Sequence, residues 1–517
     1  MDHTDAKKAW ISSLTEEYPL TAIDHAAPKI YTRIAYGFPF RSSNDLDIIA
    51  ATRYLLNSFR RALTCFPFLG GQILHPKDDK LPQLIYSRDP ANLNINRYRD
   101  EVFDVKCGKG ITDYPWTWER LQAAGVPPDA IDKDILSLSP DHPENSSGKF
   151  YHPVTLRASF IPGGLILCFA FHHAIADGAS YRAFYQCMFD SSRQFDEHAF
   201  NASVIRRKNL NSLLGKERAG AQIVDITNLP QYDFNFCPPS VQPPVADVPR
   251  SVTKILRLPA ARILAMKQEA CAYLRSVRGP SAFVSSADTI CGLAWLHVTR
   301  ARLDHLDPNE TTRFATAVDI RNRMIPNLDE EAYIGNMYLR AMTDKGVRVK
   351  DLVNVSDASA PVTLRDIAEA AWLIRKAIQA FENTSHICEN LALLANVFHG
   401  ADPDHISHAS GLALNKQRTG LDNSVWVNTG ADIEFGIPGT GGGKPEWARK
   451  TYSANEGNLN VLPRKGGTRG SADWEILLVL REDAMNKLMG EKEMGAYLVK
   501  APAVASDDVP IQARAHL

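Results

Sequence analysis

A two-domain α/β architecture is predicted by three features: the length of the chain, helix and strand signals that alternate in both halves, and a proline-rich stretch between them. At 517 residues the chain exceeds what one hydrophobic core usually covers. Hydrophobic residues make up 44% and charged residues 23%, the balance of a globular protein. The stretch "NFCPPSVQPPVADVPR" reads as a linker or long crossover. The expected boundaries are 1–195 for a first lobe, 196–250 for the crossover and 251–517 for a second lobe.

Each element follows from local pattern. "DLDIIAATRYLLNSFRRALTCFPFLGG" places Ile48, Ala51, Leu55, Phe59 and Leu63 at helical steps, stopped by Pro67 and Gly70-Gly71 before the strand "GQILHP". "YHPVTLRASF" and "LILCFAF" flank Pro-Gly-Gly, a hairpin signal. "SAFVSSADTICGLAWLHVTRAR" reads as a buried helix, and "RFATAVDIRNR" as a strand leaving through charged residues. "TLRDIAEAAWLIRKAIQAF" opens with Thr363 and Asp366 in capping-box spacing, then repeats Ile367, Ala371, Ile374 and Ile378 on one face. "WEILLVLRE" is a late strand.

Composition narrows the partners. The net charge of −1, without a basic stripe, argues against nucleic acid and anionic membranes. No stretch reaches the roughly 18 apolar residues of a membrane helix, and the N-terminus lacks a secretory pattern. Eight scattered cysteines without C-x-x-C suggest reduced thiols and a cytoplasmic protein. The ending Ala515-His516-Leu517 fits a loose peroxisomal address, the alternative location.

The chemistry concentrates in "FAFHHAIADGASYRAF". Leu165 to Phe171 is continuously apolar, as in a strand buried on both faces. Alternation puts Phe169, Phe171 and His173 on one face and His172 on the other. Asp177-Gly178 precedes Ala183, Phe184, Cys187 and Met188 at helical spacing. A helix starting after Asp177 would set its partly positive end near the imidazole, disfavouring imidazolium. A neutral imidazole is what a general base requires. The bland reading is a hydrogen-bonded histidine beside an N-cap aspartate; the residues alone leave the two balanced.

His173-Ala-Ile-Ala-Asp177-Gly178 resembles the His-x-x-x-Asp motif of the BAHD acyltransferases. The resemblance extends in order along most of the chain. "LTAIDHAAPKIY" matches through Asp24, Pro28 and Tyr31, and "LLNSFRRALTCFPFLGGQI", "SAFVSSADTICGLAWLHVTRAR" and "VDIRNRMIPNLDEEAYIGN" are similar to further family blocks. "EFGIPGTGGGKPEWAR" stands where Asp-Phe-Gly-Trp-Gly-Lys-Pro is expected. The chain looks most similar to the fungal branch that includes trichothecene 3-O-acetyltransferases.

The resemblance implies two chloramphenicol-acetyltransferase-like domains with mixed sheets and an active-site channel between them. It implies acyl transfer from acyl-CoA, acetyl-CoA first, to a hydroxyl of a fungal secondary metabolite through a ternary complex. His173 and Asp177 would be the catalytic residues, His173 as the base and Asp177 fixing the ring or the turn. Ser424 and Trp426 in "DNSVW" would line the oxyanion and substrate position. Glu434 and Gly436 would be structural, and Arg321 or Arg323 would pair with Asp177 or Glu434. Glu434 replaces the motif aspartate and the following loop is longer, which puts the Glu434 pairing in doubt. A monomer with no permanently bound cofactor and no metal is expected. A condensation-type domain drawing on a carrier protein is the main rival, since it shares His-His-x-x-x-Asp-Gly.

Other signals carry less. "GTGGGKPE" lacks the residues of a phosphate loop. His405 and His408 have no partner at zinc-site spacing, and no Gly-x-Ser-x-Gly occurs.

Overall fold

The computed structural model describes residues 15–41, 44–74, 82–139, 150–194, 196–214, 229, 231–232, 250–324, 333–343, 346–357, 360–400, 419–451, 456–464 and 472–497. Most of the proline-rich stretch, His405, His408 and the terminal tripeptide lie outside them.

The first lobe begins with a one-turn helix α1 (Ala22–Ala26), capped by a reciprocal Thr21–Asp24 box. Strand β1 (Tyr31–Pro39) follows, then helix α2 (Asp45–Cys65), which buries Ala51, Leu55, Phe59 and Leu63. That is the face its sequence spacing predicts. A short 3-10 turn at Pro67–Gly70 ends it. Strands β2 (Phe103–Lys106), β3 (Val154–Ile161) and β4 (Gly164–His172) complete the lobe's own share of its main sheet. β3 and β4 pair antiparallel as the expected hairpin, with Ile161 opposite Gly164. Every residue of β4 is buried. Phe169 and Phe171 pack into the main core, while Ile166 and Cys168 join a second cluster on the opposite face.

Helix α3 (Gly178–Phe189) leaves this sheet, buries Ala183, Phe184, Cys187 and Met188, and leads to helix α4 (Glu197–Leu214). The segment expected as a crossover from 196 therefore opens with a helix. Arg207 on α4 is fully buried and donates to Asp24 Oδ2 at 2.6 Å and to the Ile334 carbonyl at 2.7 Å. Phe200 of the same helix packs into the first lobe's core, and this ion pair ties the helix to the junction.

The second lobe comprises strand β5 (Ser251–Leu258), helix α5 (Ser286–Ala301), strands β6 (Phe314–Asp319) and β7 (Tyr338–Met342), helix α6 (Leu364–Gln379) and strands β8 (Leu421–Val425), β9 (Trp447–Lys450), β10 (Asn458–Val461) and β11 (Trp474–Arg481). α5 is buried almost throughout, and α6 carries the Thr363–Asp366 capping box. The sheet order is β7-β6-β8-β10-β11-β5. β6 gives way to a short helix at Arg321–Met324 rather than to a simple charged exit.

β9 does not join that sheet. It pairs antiparallel with β1, so the first lobe's sheet runs β9-β1-β4-β3-β2. A strand from the second half of the chain thus edges the first sheet, and the lobes interlock. On the second sheet, Phe314, Leu421, Leu459, Val461 and Leu478 fill the core on one face. Register places Arg340, Ser424 and Asn460 on the other face, which meets the first lobe.

Candidate active site

β4 ends at His172, and His173 sits in the turn beyond it. Its amide donates to the Ile30 carbonyl at 2.8 Å, and its carbonyl accepts from Asn336 Nδ2 at 2.8 Å. The backbone is therefore clamped by both lobes. The ring is half-buried, 5.6 Å from the Tyr338 ring. Nδ1 is buried without a hydrogen-bond partner among the described residues.

Burial lowers the His173 pKa below its ordinary value; the nearby Asp177 charge and Asn336 push the other way, and Arg340 adds to the lowering. The leading cause of that lowering is burial and not a helix end. His172 is fully buried and meets Tyr31 edge-on at 5.3 Å. The two histidine rings occupy different surroundings.

Asp177 caps α3 by accepting from Ser180 N at 3.1 Å and Ser180 Oγ at 2.9 Å. Arg321 donates to it with both terminal nitrogens, at 2.9 and 2.8 Å, and Met337 N adds a bond of 3.0 Å. Burial pushes the Asp177 carboxyl up, but Arg321 and the backbone donors outweigh it and hold the pKa below the ordinary carboxylate value. Arg321 also donates to the Gly335 carbonyl at 2.9 Å. No hydrogen bond joins Asp177 to His173 among the described residues. Arg323 instead donates to the Ile378 carbonyl at 3.0 Å.

Asn336, missed by sequence reasoning as an individual residue, ties this network to Asp24: its backbone and side-chain nitrogens reach Asp24 Oδ1 at 2.9 and 3.0 Å. Gly335 beside it leaves no room for a Cβ, which would collide with the Arg207 guanidinium. The "YIGN" block contained the signal, since its glycine and asparagine are where the chain passes between two buried arginines.

Ser424 and Trp426 come from β8 and the turn after it. Trp426 Nε1 donates to Ser424 Oγ at 3.0 Å. Because the serine oxygen accepts from the indole, its own O–H is left to donate outward. Tyr338, on the same face two strands away, contacts His173. Glu434 is exposed on the rim of a shallow surface cleft that Arg182 and Asp432 also line, and it forms no ion pair among the described residues. The arginine pairing in this segment belongs to Asp432, which Arg182 engages with bonds of 2.5 and 3.0 Å. Gly436 adopts a φ of +61°, with the Tyr54 hydroxyl donating to the preceding Phe435 carbonyl at 2.8 Å.

The model of the Transferase family matches residues 132–494. The chain belongs to that family. A second model, the trichothecene 3-O-acetyltransferase-like N-terminal domain, matches residues 30–188. The protein is an acyltransferase of the BAHD type, as its His-x-x-x-Asp resemblance implied. It is 24% identical to trichothecene 3-O-acetyltransferase TRI101 of Fusarium sporotrichioides, over 94% of this chain and 97% of that one. Its fold is similar to that of Fusarium graminearum TRI101 complexed with coenzyme A and deoxynivalenol, with a TM-score of 0.72, 20% identity and coverage of 93% and 99%. The first condensation domain of the calcium-dependent antibiotic synthetase is also similar, at TM-score 0.51 and 12% identity over 95% of this chain and all of that one. No helix among the described residues is long and apolar enough to cross a membrane.

Proposed function

We propose that this protein transfers an acyl group, acetyl in the first instance, from acyl-CoA to a hydroxyl of a fungal secondary metabolite. The observation that carries this reading is the half-buried His173 imidazole, its pKa lowered by burial, in a turn clamped by both lobes. His173 takes the proton of the acceptor hydroxyl as that oxygen attacks the thioester carbonyl. The tetrahedral oxyanion accepts a hydrogen bond from Ser424, which Trp426 orients. Collapse breaks the carbon–sulfur bond, and the imidazolium returns its proton to the departing CoA thiolate. Both substrates are present together, and no acyl-enzyme forms because the thioester is already activated. The protein acts as a monomer without a permanently bound cofactor.

Asp177 is a positioning residue here. It holds the start of α3, and hence the turn carrying His173, against Arg321 of the second lobe. CoA-bound structures among the similar proteins support the donor class, and the names of curated relatives support an O-acetyl product.

The test compares metabolites of a deletion strain and its parent. It then supplies the purified protein with the accumulated intermediate and either acetyl-CoA or an acetylated carrier protein. An intermediate lighter by one acetyl unit, converted with release of free CoA thiol, is expected. Conversion only from the carrier would transfer the reading to the condensation class. For location, masking Ala515-His516-Leu517 with a fluorescent fusion should redistribute the protein if the tripeptide is an address.

A further inference from the structure

Among the described residues, the arginines around the polar face of the second sheet are ion-paired, Arg257 and Arg449 sharing Glu475. Arg340 on β7 pairs with Asp422 on β8, and Arg449 on β9 pairs with Glu475 on β11 at 2.7 Å. Lys450, next along β9, has no carboxylate partner among the described residues. Its ammonium donates to Asn460 Oδ1 at 3.3 Å and lies 5.8 Å from the centre of the Trp426 ring. Burial lowers its pKa to about 8.

Register shows where this charge stands. Lys450 pairs with Ile34 of the first sheet, while Asn460 pairs with Ser424 of the second. The ammonium therefore bridges the lobe junction, above the indole whose N–H holds Ser424. Lys450 is half-buried, and an ammonium withdrawn from water costs free energy unless it is paired and hydrogen-bonded. Aromatic contact returns only about 0.5–2 kcal/mol, and one of three N–H donors is committed to Asn460. A carboxylate supplies what the protein does not: a counter-charge that accepts from the remaining donors.

We infer that Lys450 recognises a carboxylate carried to the lobe junction by one of the two substrates. This deepens the acyl-transfer reading and rests on it. The carboxylate arrives either on the acyl group, as in a dicarboxylic monothioester, or on the acceptor. Lys450 forms no covalent bond in either case; it selects and orients.

Calorimetric titration of the full-length protein at pH 7 with two matched pairs tests this: malonyl-CoA against acetyl-CoA, and benzoate against benzyl alcohol. The wild type should prefer at least one carboxylate probe by about tenfold, the scale of a hydrogen bond to a charged group. Lys450→Met should abolish that preference and Lys450→Arg should keep it. A malonyl-CoA preference assigns the carboxylate to the acyl group; a benzoate preference alone assigns it to the acceptor. Raising the pH well above 8 should erode the wild-type preference as the ammonium deprotonates. Equal affinities within both pairs in the wild type, or a preference that survives Lys450→Met, overturns the inference. Acetyl-CoA binding separates the two claims. Its persistence in Lys450→Met leaves the acyl-CoA reading standing when the lysine inference fails, and its absence from the wild type counts against the acyl-CoA reading while the benzoate pair still tests the lysine.

Discussion

Asp177 and Arg321 meet across the lobe junction through two parallel hydrogen bonds of 2.8 and 2.9 Å, and the carboxylate makes no hydrogen bond to His173. The motif's aspartate is thus spent on architecture: it joins the helix that follows the histidine to the opposite lobe. Paired bonds from a planar guanidinium fix orientation as well as distance, so the turn containing His173 inherits a defined position.

Asp177→Asn should remove the bidentate partner of the buried Arg321 and leave it only the half-exposed Asp319 carboxylate at 3.2 Å. A loss of about 3–5 kcal/mol of stability is expected, the usual cost of breaking a buried pair. The Asp177 pKa is lowered on folding, so its contribution is complete above the unfolded carboxylate value and is lost as pH falls through the folded one. Denaturant melts at neutral and acidic pH check this; an unchanged midpoint at neutral pH would refute it.

The rate should depend on pH through His173. Its pKa is lowered below the ordinary 6.5, so kcat/KM should hold level from neutral pH to below that value and fall only under stronger acid. An acid limb centred at or above 6.5 contradicts the assignment. The same lowering makes the unfolded chain bind more protons in that window, so this residue's contribution to stability also declines as pH falls.

Ser424→Ala should reduce kcat about 100- to 1,000-fold, the range for removing one oxyanion donor, with little change in KM. Trp426→Phe keeps the aromatic body but removes the N–H that orients the serine, so its effect on kcat should be smaller. A Ser424→Ala enzyme with unaltered kcat would leave the serine as a packing residue.

Asn336→Ala should release the His173 carbonyl and remove one bond to Asp24, whose carboxylate keeps the residue-336 amide and Arg207. Leaving the His173 carbonyl unpaired costs about 1–3 kcal/mol. A lower melting temperature together with a lower kcat is expected; unchanged values of both would remove Asn336 from the clamp.

Legibility in the sequence followed the range of the interactions. β4 and the helix beginning after Asp177 were readable because an unbroken apolar run, an N-cap residue and helical spacing are local signals. Fold class and family were readable from ordered motifs. The choice of Arg321 over Arg323 was not, because two residues in one turn differ only in what faces them across the junction. Lys450 was invisible for the same reason: nothing near residue 450 indicates that β9 leaves its own lobe to pair with β1. α4 was obscured by its weak apolar pattern: among its described side chains it packs through Phe200 and through the buried Arg207–Asp24 pair, a long-range contact. Glu434 stood where a paired carboxylate was expected, while the ion pair formed two residues earlier at Asp432.

The most direct measurement is free-thiol release from acetyl-CoA, with the acceptor recovered from the deletion strain, by wild type, His173→Ala and His172→Ala at pH 7.5. The account predicts that His173→Ala folds with a near-native melting temperature and loses roughly 100- to 10,000-fold in turnover, about 3–5 kcal/mol of barrier, while His172→Ala loses less. Equal turnover in the wild type and a folded His173→Ala enzyme would contradict it.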